Sequence, residues 1–272
     1  MKVDTLIICG AGTNAPHYVG ILYALFKHNI IDTNMTNIKE IVTASVGIWT
    51  SILLLLKVDL KVIYKIVIDT NISKLIDYSD INIDSLINSS GLFDINNISN
   101  VIEIIIYHKT GIKNCNLKKL YEITGIKMNV LCYNVTKGYL EVFNHINHPN
   151  ISLSKLSSLT MAIPIFFKPV LYNDNYYVDG AIDDISDSFY NSKNYLRLEI
   201  CSNTKNNIPM ILQTIISLAR RKREKIKCKR EIYIRCDTGV TNFDISENDK
   251  KNMIIKGYNE TIKHLKHYNL LR

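Results

Sequence analysis

The chain opens on a β-rich run, Val3–Cys9, that ends at Gly10-Ala11-Gly12. A short apolar run bounded by glycine predicts a buried strand and a turn. Pro16 then opens a helical spacing through Ile21, Leu22, Leu25 and Phe26. Proline suits the first turn of a helix, where its missing N–H costs nothing. The alternation repeats at once. Glu40–Ala44 predicts a second strand, Ser45 a sharp turn, and Gly47–Leu56 an apolar helix. Two strand-to-helix units in succession predict an α/β fold, a largely parallel sheet with helices on its faces.

Further along, the section from Leu60 to Thr124 has mostly helical spacing, broken by polar clusters such as Asn88-Ser89-Ser90-Gly91. Met128–Asn134 and Tyr139–Asn144 predict paired strands across Thr136-Lys137-Gly138. Leu153–Met161 predicts a helix stopped by Pro164. Pro169–Tyr172 and Tyr176–Val178 predict a hairpin turning at Asn173-Asp174-Asn175. Tyr195–Cys201 and Glu231–Asp237 predict strands, Met210–Lys222 a helix, and Glu247–His267 an amphipathic helix. No repeat and no Pro/Gly-rich linker divides the chain, so residues 1–272 read as one domain.

Composition narrows the function classes. Of 272 residues, 47% are hydrophobic, enough for a large core, and 21% are charged, which excludes a disordered chain. The net charge of +8 is concentrated in Arg220, Arg221, Lys222, Arg223, Lys225, Lys227, Lys229 and Arg230. That run reads either as a solvated helix face or as peripheral contact with an anionic membrane. A nucleic-acid surface is not expected, because no recognition motif or interleaved aromatics accompany it. The six cysteines form no C-x-x-C pair or zinc spacing and read as reduced thiols. The longest apolar stretch, Ile41–Leu56, is shorter than the ~20 residues a spanning helix needs. With no leader-like segment at Met1-Lys2-Val3-Asp4, the expected location is cytoplasmic.

Three places carry candidate chemistry. Thr43-Ala44-Ser45-Val46-Gly47 sets a serine between a strand and a helix, with glycine two residues on. This is the nucleophile-elbow arrangement, in which the helix start also favours developing negative charge. An ordinary helix-capping serine gives the same pattern. Gly10-Ala11-Gly12-Thr13-Asn14 is a glycine-rich turn whose amides suit an oxyanion or a phosphate. With Ala15 it also fits a dinucleotide fingerprint, but the second strand ends in Thr43-Ala44-Ser45 rather than the acid a ribose requires. Asp179-Gly180-Ala181 closes a strand and is either a base or a plain Asp-Gly turn. A free aspartate, with a pKa of ~3.9, is a weak base, and repulsion from Asp183 and Asp184 is one way to raise it.

In their order and spacing these pieces resemble the patatin-like phospholipase family. The resemblance runs through Gly10 to Leu22, Ser45, Gly91-Leu92-Phe93-Asp94 and Leu120 to Gly125, then Met161 to Gly180 and Thr238 to Asp249. The segment Met161 to Gly180 is the most specific, matching an A-x-P-x-x-F-x-P run that leads into D-G-[GA]. The resemblance implies a single-domain three-layer α/β fold and a serine ester hydrolase acting on phospholipid or another glycerolipid. It implies a Ser45–Asp179 dyad, an oxyanion hole from the amides of Gly10, Ala11, Gly12 and Thr13, an elbow framed by Thr43 and Gly47, and an acyl-enzyme. No metal or cofactor is implied. His17 then reads as a packing residue, and Trp49, Leu53 and Leu54 as lining for an acyl channel or as core. The chain departs from the family at Ala11, at Asn14 (usually Arg or Lys), at Thr43 (usually Gly), and at Asp184 and Asp187 (often Asn and Pro). Those departures leave two further readings, a catalytically weakened lipid-binding protein and an acyltransferase.

Overall fold

The computed structural model describes residues 3–78, 86, 89–190, 192–202 and 230–271. The helix expected over Met210–Lys222 and all of the basic run except Arg230 lie outside the described residues.

The first strand, β1 (Thr5–Ile8), is buried along its whole length, and Pro16 stands at the first turn of α1 (Pro16–Lys27). β2 (Glu40–Ala44) is buried at every position and is followed by α2 (Gly47–Leu55). Next come α3 (Leu60–Asp69), β3 (Gly91–Phe93), α4 (Asn96–Thr110) and α5 (Leu117–Thr124). β4 (Lys127–Asn134) and β5 (Tyr139–Phe143) precede α6 (Leu153–Met161). Three short strands come after it: β6 (Ile165–Phe167), β7 (Val170–Tyr172) and β8 (Asn175–Asp179). β9 (Tyr195–Ser202), β10 (Glu231–Cys236) and α7 (Glu247–His267) complete the described order.

The main sheet runs β10-β9-β1-β2-β4-β8-β7, with β5 also on β4. The strands from β10 to β4 are parallel, while β5, β7 and β8 join antiparallel. Both faces of the parallel part are covered, which is why β1 and β2 are apolar runs rather than alternating ones. The expected α/β class is therefore observed.

The register on β4 decides which strand ends meet. Leu131 pairs with Ala44 of β2 on one edge and Val142 of β5 on the other. One residue on, Cys132 pairs with Asp179 of β8 and Glu141 of β5. β5 holds one edge from Val130 to Asn134, and β8 takes over the opposite edge where β2 leaves it.

Two local expectations change. β3 and β6 form a small parallel pair inside stretches expected to be helical or loop. The β7–β8 turn is two residues, Asn173 and Asp174, both with positive φ (47° and 58°), and Asn175 already pairs with Tyr172. This is the two-residue geometry that Asn and Asp tolerate best.

α7 packs along α1 at backbone distance. A Cβ on Gly20 would lie 1.9 Å from Ile254 O, and one on Gly257 would lie 2.3 Å from His17 O. Only glycine at both places permits that crossing.

Candidate active site

Ser45 stands where β2 ends, with φ of 54°, in the left-handed region that a residue with a Cβ rarely occupies. The turn is held from three sides. Ser45 N–H donates to Thr160 Oγ1 (2.8 Å), and Thr160 Oγ1 donates to Leu131 O (2.6 Å). Thr43 Oγ1 donates to Ile8 O (2.9 Å), so a threonine is accommodated in the elbow. A Cβ on Gly47 would sit 2.5 Å from Ile8 O and 2.6 Å from Thr43 Oγ1, so glycine is needed there.

Because Ala44 and Asp179 occupy successive rungs of β4, Asp179 arrives beside the turn. Ser45 Oγ donates to Asp179 Oδ2 at 2.6 Å, and Ala181 N–H donates to Asp179 Oδ1 at 2.7 Å. Asp179 is 3% exposed. Burial pushes its pKa up to about 7, against the two hydrogen bonds, which favour the ionised form. The repulsion expected from Asp183 and Asp184 is not among the causes of the shift, although both line the same cavity. Burial in the sheet does what the neighbouring acids were expected to do. A carboxylate that is part-ionised near neutrality, bonded to a serine hydroxyl, is equipped to take that proton.

The glycine-rich loop lies against the same point. A Cβ on Gly10 would be 2.9 Å from Ser45 Cβ and 2.5 Å from Ala181 Cβ. Gly12 has φ of +53°, and a Cβ there would meet Val240 O at 2.2 Å. Thr13 differs from expectation. Its N–H donates to Val240 O (2.9 Å) and its hydroxyl to Gly239 O (3.1 Å), so its amide is already engaged. Among the described residues, the remaining backbone bonds of the loop run from Asn14 N to Ala11 O and from Ala15 N to Gly12 O. None engages the N–H of Gly10, Ala11 or Gly12.

Asn14 is fully buried. Its Nδ2 donates to Thr238 O (3.2 Å), and its Oδ1 accepts from the Thr238 hydroxyl. His17 is buried too, with Nδ1 2.9 Å from Asn14 O and Nε2 3.5 Å from Cys236 Sγ. Burial lowers its pKa to about 4, so it packs as a neutral ring.

Comparison with known proteins identifies the family. The patatin-like phospholipase family profile matches residues 6–187, two thirds of the chain and both members of the Ser45–Asp179 pair. The chain belongs to the patatin-like phospholipase family. A probable lipid hydrolase (463L) of Invertebrate iridescent virus 6 is 32% identical over 124 residues, 42% of this chain and 43% of that protein. Protein R571 of Acanthamoeba polyphaga mimivirus is 29% identical over 180 residues, 66% of this chain and 58% of that protein. The chain spans about half the length of the curated relatives it matches. Among solved structures, VipD of Legionella pneumophila superposes with a TM-score of 0.70 at 17% identity, covering 98% of this chain and 67% of that one. The type III effector ExoU of Pseudomonas aeruginosa gives 0.55 at 12% identity, covering 98% and 53%. At these identities the likeness concerns the fold.

Two cavities meet this patatin-like site. One, of about 160 Å³, is lined by Gly10, Ser45, Asp179, Asp183, Asp184 and Arg197. Arg197 is buried in its wall, donating from Nε to Glu199 (2.8 Å) and from an η nitrogen to Ile185 O (3.0 Å). The other, of about 100 Å³, is apolar and includes Gly12, Val46, Trp49, Leu53, Ile63 and Phe243. Trp49 and Leu53 line it and also pack against the core, so both readings left open by the sequence apply to them, whereas Leu54 packs into the central core. Gly12 borders both cavities. Among the described residues, no group of three or more His, Cys, Asp or Glu side chains is placed to hold a metal ion. No described helix is long and apolar enough to cross a membrane.

Proposed function

We propose that this patatin-like protein is a lipid acyl hydrolase in which Ser45 is the nucleophile and Asp179 its base. The observation that carries the reading is the 2.6 Å hydrogen bond from Ser45 Oγ to a buried carboxylate whose pKa is raised to about 7. Ser45 Oγ attacks the ester carbonyl carbon while Asp179 Oδ2 takes the hydroxyl proton. The carbonyl oxygen becomes an anion within reach of the Gly10, Ala11 and Gly12 amides. Collapse expels the alcohol, which takes the proton back from Asp179 and leaves an acyl-serine. Water then gives a proton to Asp179 and attacks the acyl carbon, and collapse returns that proton to Ser45 Oγ and releases the fatty acid.

The walls of the two cavities point to the substrate class. An apolar cavity bordering the loop at Gly12 suits an acyl chain, and the more polar cavity at Asp183, Asp184 and Arg197 suits the alcohol portion of a glycerolipid. In this reading the protein acts at a lipid surface as a peripheral enzyme.

The test is hydrolysis of a fluorogenic phospholipid and a short p-nitrophenyl ester by wild type, Ser45→Ala and Asp179→Asn. Fluorophosphonate labelling runs in parallel. Loss of at least roughly a thousandfold in kcat for both variants, with circular dichroism unchanged, is expected. A wild type that neither turns over nor takes the label overturns the hydrolase reading and leaves a lipid-binding one. Transfer to an added lysolipid faster than to water reassigns the second step to an acyltransferase.

A further inference from the structure

We propose that the outward faces of α3 and α4 form a docking surface for an anionic lipid bilayer, through which an acyl chain enters the apolar cavity beside the Ser45 turn. The inference rests on the lipid reading of that site and adds where the lipid comes from.

α3 reads Leu-Lys-Val-Ile-Tyr-Lys-Ile-Val-Ile-Asp, with seven apolar or aromatic side chains in ten positions; Ile63 is buried, Leu60, Ile66, Val67 and Ile68 are half-buried, and two are exposed. Val62 is 49% exposed and Tyr64 37%. On the neighbouring α4, Ile104 is 57% exposed and Tyr107 43%. α3 turns Leu60, Ile63 and Val67 inward, while Val62 stays outside and shares a groove with Val101 and Ile104 of α4; exposed apolar groups brought together from two helices mark a contact surface. The helix is nonetheless firmly held. Asp59 caps its start by accepting from Lys61 N (2.7 Å). Lys250, reaching from α7, caps its end by donating to Ile68 O (3.0 Å) and Thr70 O (2.6 Å).

The partner's chemistry rests on two observations. Lys61 and Lys65 share a groove with Val62, Ile66, Val101 and Ile104, and Asp69 stands at the same groove, so two cations and one acid rim an apolar trough. Exposed Lys57 lies just before the helix. Apolar side chains that enter the acyl region, with lysines at headgroup level, are what an anionic interface binds. The groove also lies against the site. Ile66, Thr70 and Ile105 line both the groove and the apolar cavity, and Gly12 then links that cavity to Ser45. A nucleic acid or an acidic protein has no use for an apolar trough set against an apolar cavity.

The experiment uses full-length Ser45→Ala, which removes turnover from the measurement. It is floated with phosphatidylcholine vesicles, with and without phosphatidylglycerol. Trp49 is the sole tryptophan and lines the cavity, so brominated acyl chains report entry by quenching it. Co-flotation dependent on phosphatidylglycerol, with quenching, is expected. Lys61→Gln and Lys65→Gln should each weaken partitioning about fivefold. Val62→Ser with Ile104→Ser should abolish quenching, with circular dichroism unchanged. Replacing Arg220, Arg221 and Arg223 by Gln serves as the rival. If that change abolishes flotation and the α3 and α4 changes do not, or if the protein does not float, the docking surface is overturned. With Ser45 restored, the same α3 and α4 changes should lower turnover of vesicle lipid and spare a short soluble ester. Absence of turnover on either substrate refutes the hydrolase reading alone, because flotation and quenching are measured without it.

Discussion

Thr160 and Ser45 are joined by one hydroxyl that stands in for a strand. Thr160 Oγ1 accepts the Ser45 N–H at 2.8 Å and passes its own proton to Leu131 O at 2.6 Å. β2 has left the sheet at Ala44 and β8 begins at the next rung, so the side chain bridges the gap between them. Thr160→Val keeps the shape and strands two buried polar groups, at about 1–3 kcal/mol each. The expected outcome is a lower Tm and a fall in kcat of tenfold or more with KM little changed, since the loss falls on the angle of Ser45. Thr160→Ser should restore most of both. Steady-state kinetics and thermal melts of the three proteins decide it.

The acidic limb of the pH–rate profile should fall near 7. Asp179 works as a base only when ionised, and burial holds its pKa at about 7. Below that, kcat/KM should drop about tenfold per pH unit. Since burial causes the shift, Asp183→Asn and Asp184→Asn should leave the limb in place. A limb that moves down by a unit in either variant would restore charge repulsion as the cause.

The same carboxylate should make the fold less stable as pH rises. Its folded pKa, about 7, lies above the unfolded value of ~3.9, so the native state holds the proton more tightly. Stability therefore declines between about pH 4 and pH 7. Above that window the penalty levels off at no more than roughly 4 kcal/mol. Asp179→Asn should melt higher than wild type at about pH 8 and close to it at about pH 4. Melting curves at the two pH values suffice, and equal differences at both would refute the buried-charge account.

Asn14→Arg, a change toward the residue common in this family, should harm the protein. Asn14 is fully buried and bonded in both directions to Thr238. A guanidinium there displaces Thr238 and is buried without a partner. The expected loss is at least about 3 kcal/mol, read by urea unfolding. A more stable or more active Asn14→Arg protein would show that the loop has room for the larger side chain.

Ser45 and Asp179 are legible in the sequence because local chemistry marks each: a serine at a strand-to-helix turn before glycine, and Asp-Gly at a strand end. Glu40–Ala44 and Leu153–Met161 are legible from periodicity and breakers, and both elements have those bounds. β3 and β6 are not, since each is three residues long and takes its form from the other. A Cβ on Gly91 would lie 2.4 Å from Phe167 O. Thr160 carries no signal either, and the resemblance over Thr238 to Asp249 does not say that Val240 meets the glycine-rich loop. The Thr160 bond to Ser45 spans 115 positions and the Thr13 bond to Gly239 spans 226, and no local pattern encodes such pairs. Thr13 departs from expectation for that reason, its amide being engaged by a segment far downstream.

The order of the sheet carries one more consequence. β1, from whose end the glycine-rich loop departs, is sandwiched between β2 and β9, and the family profile ends at residue 187, before β9 begins. A fragment cut at that boundary would keep Ser45, Asp179 and the loop, yet expose one whole hydrogen-bonding edge of Thr5–Ile8. Such an edge, apolar and unpaired, recruits further copies of itself. The stretch that carries the family's signature is therefore not a portable module: expressed alone, it should aggregate strand to strand before it ever meets a lipid.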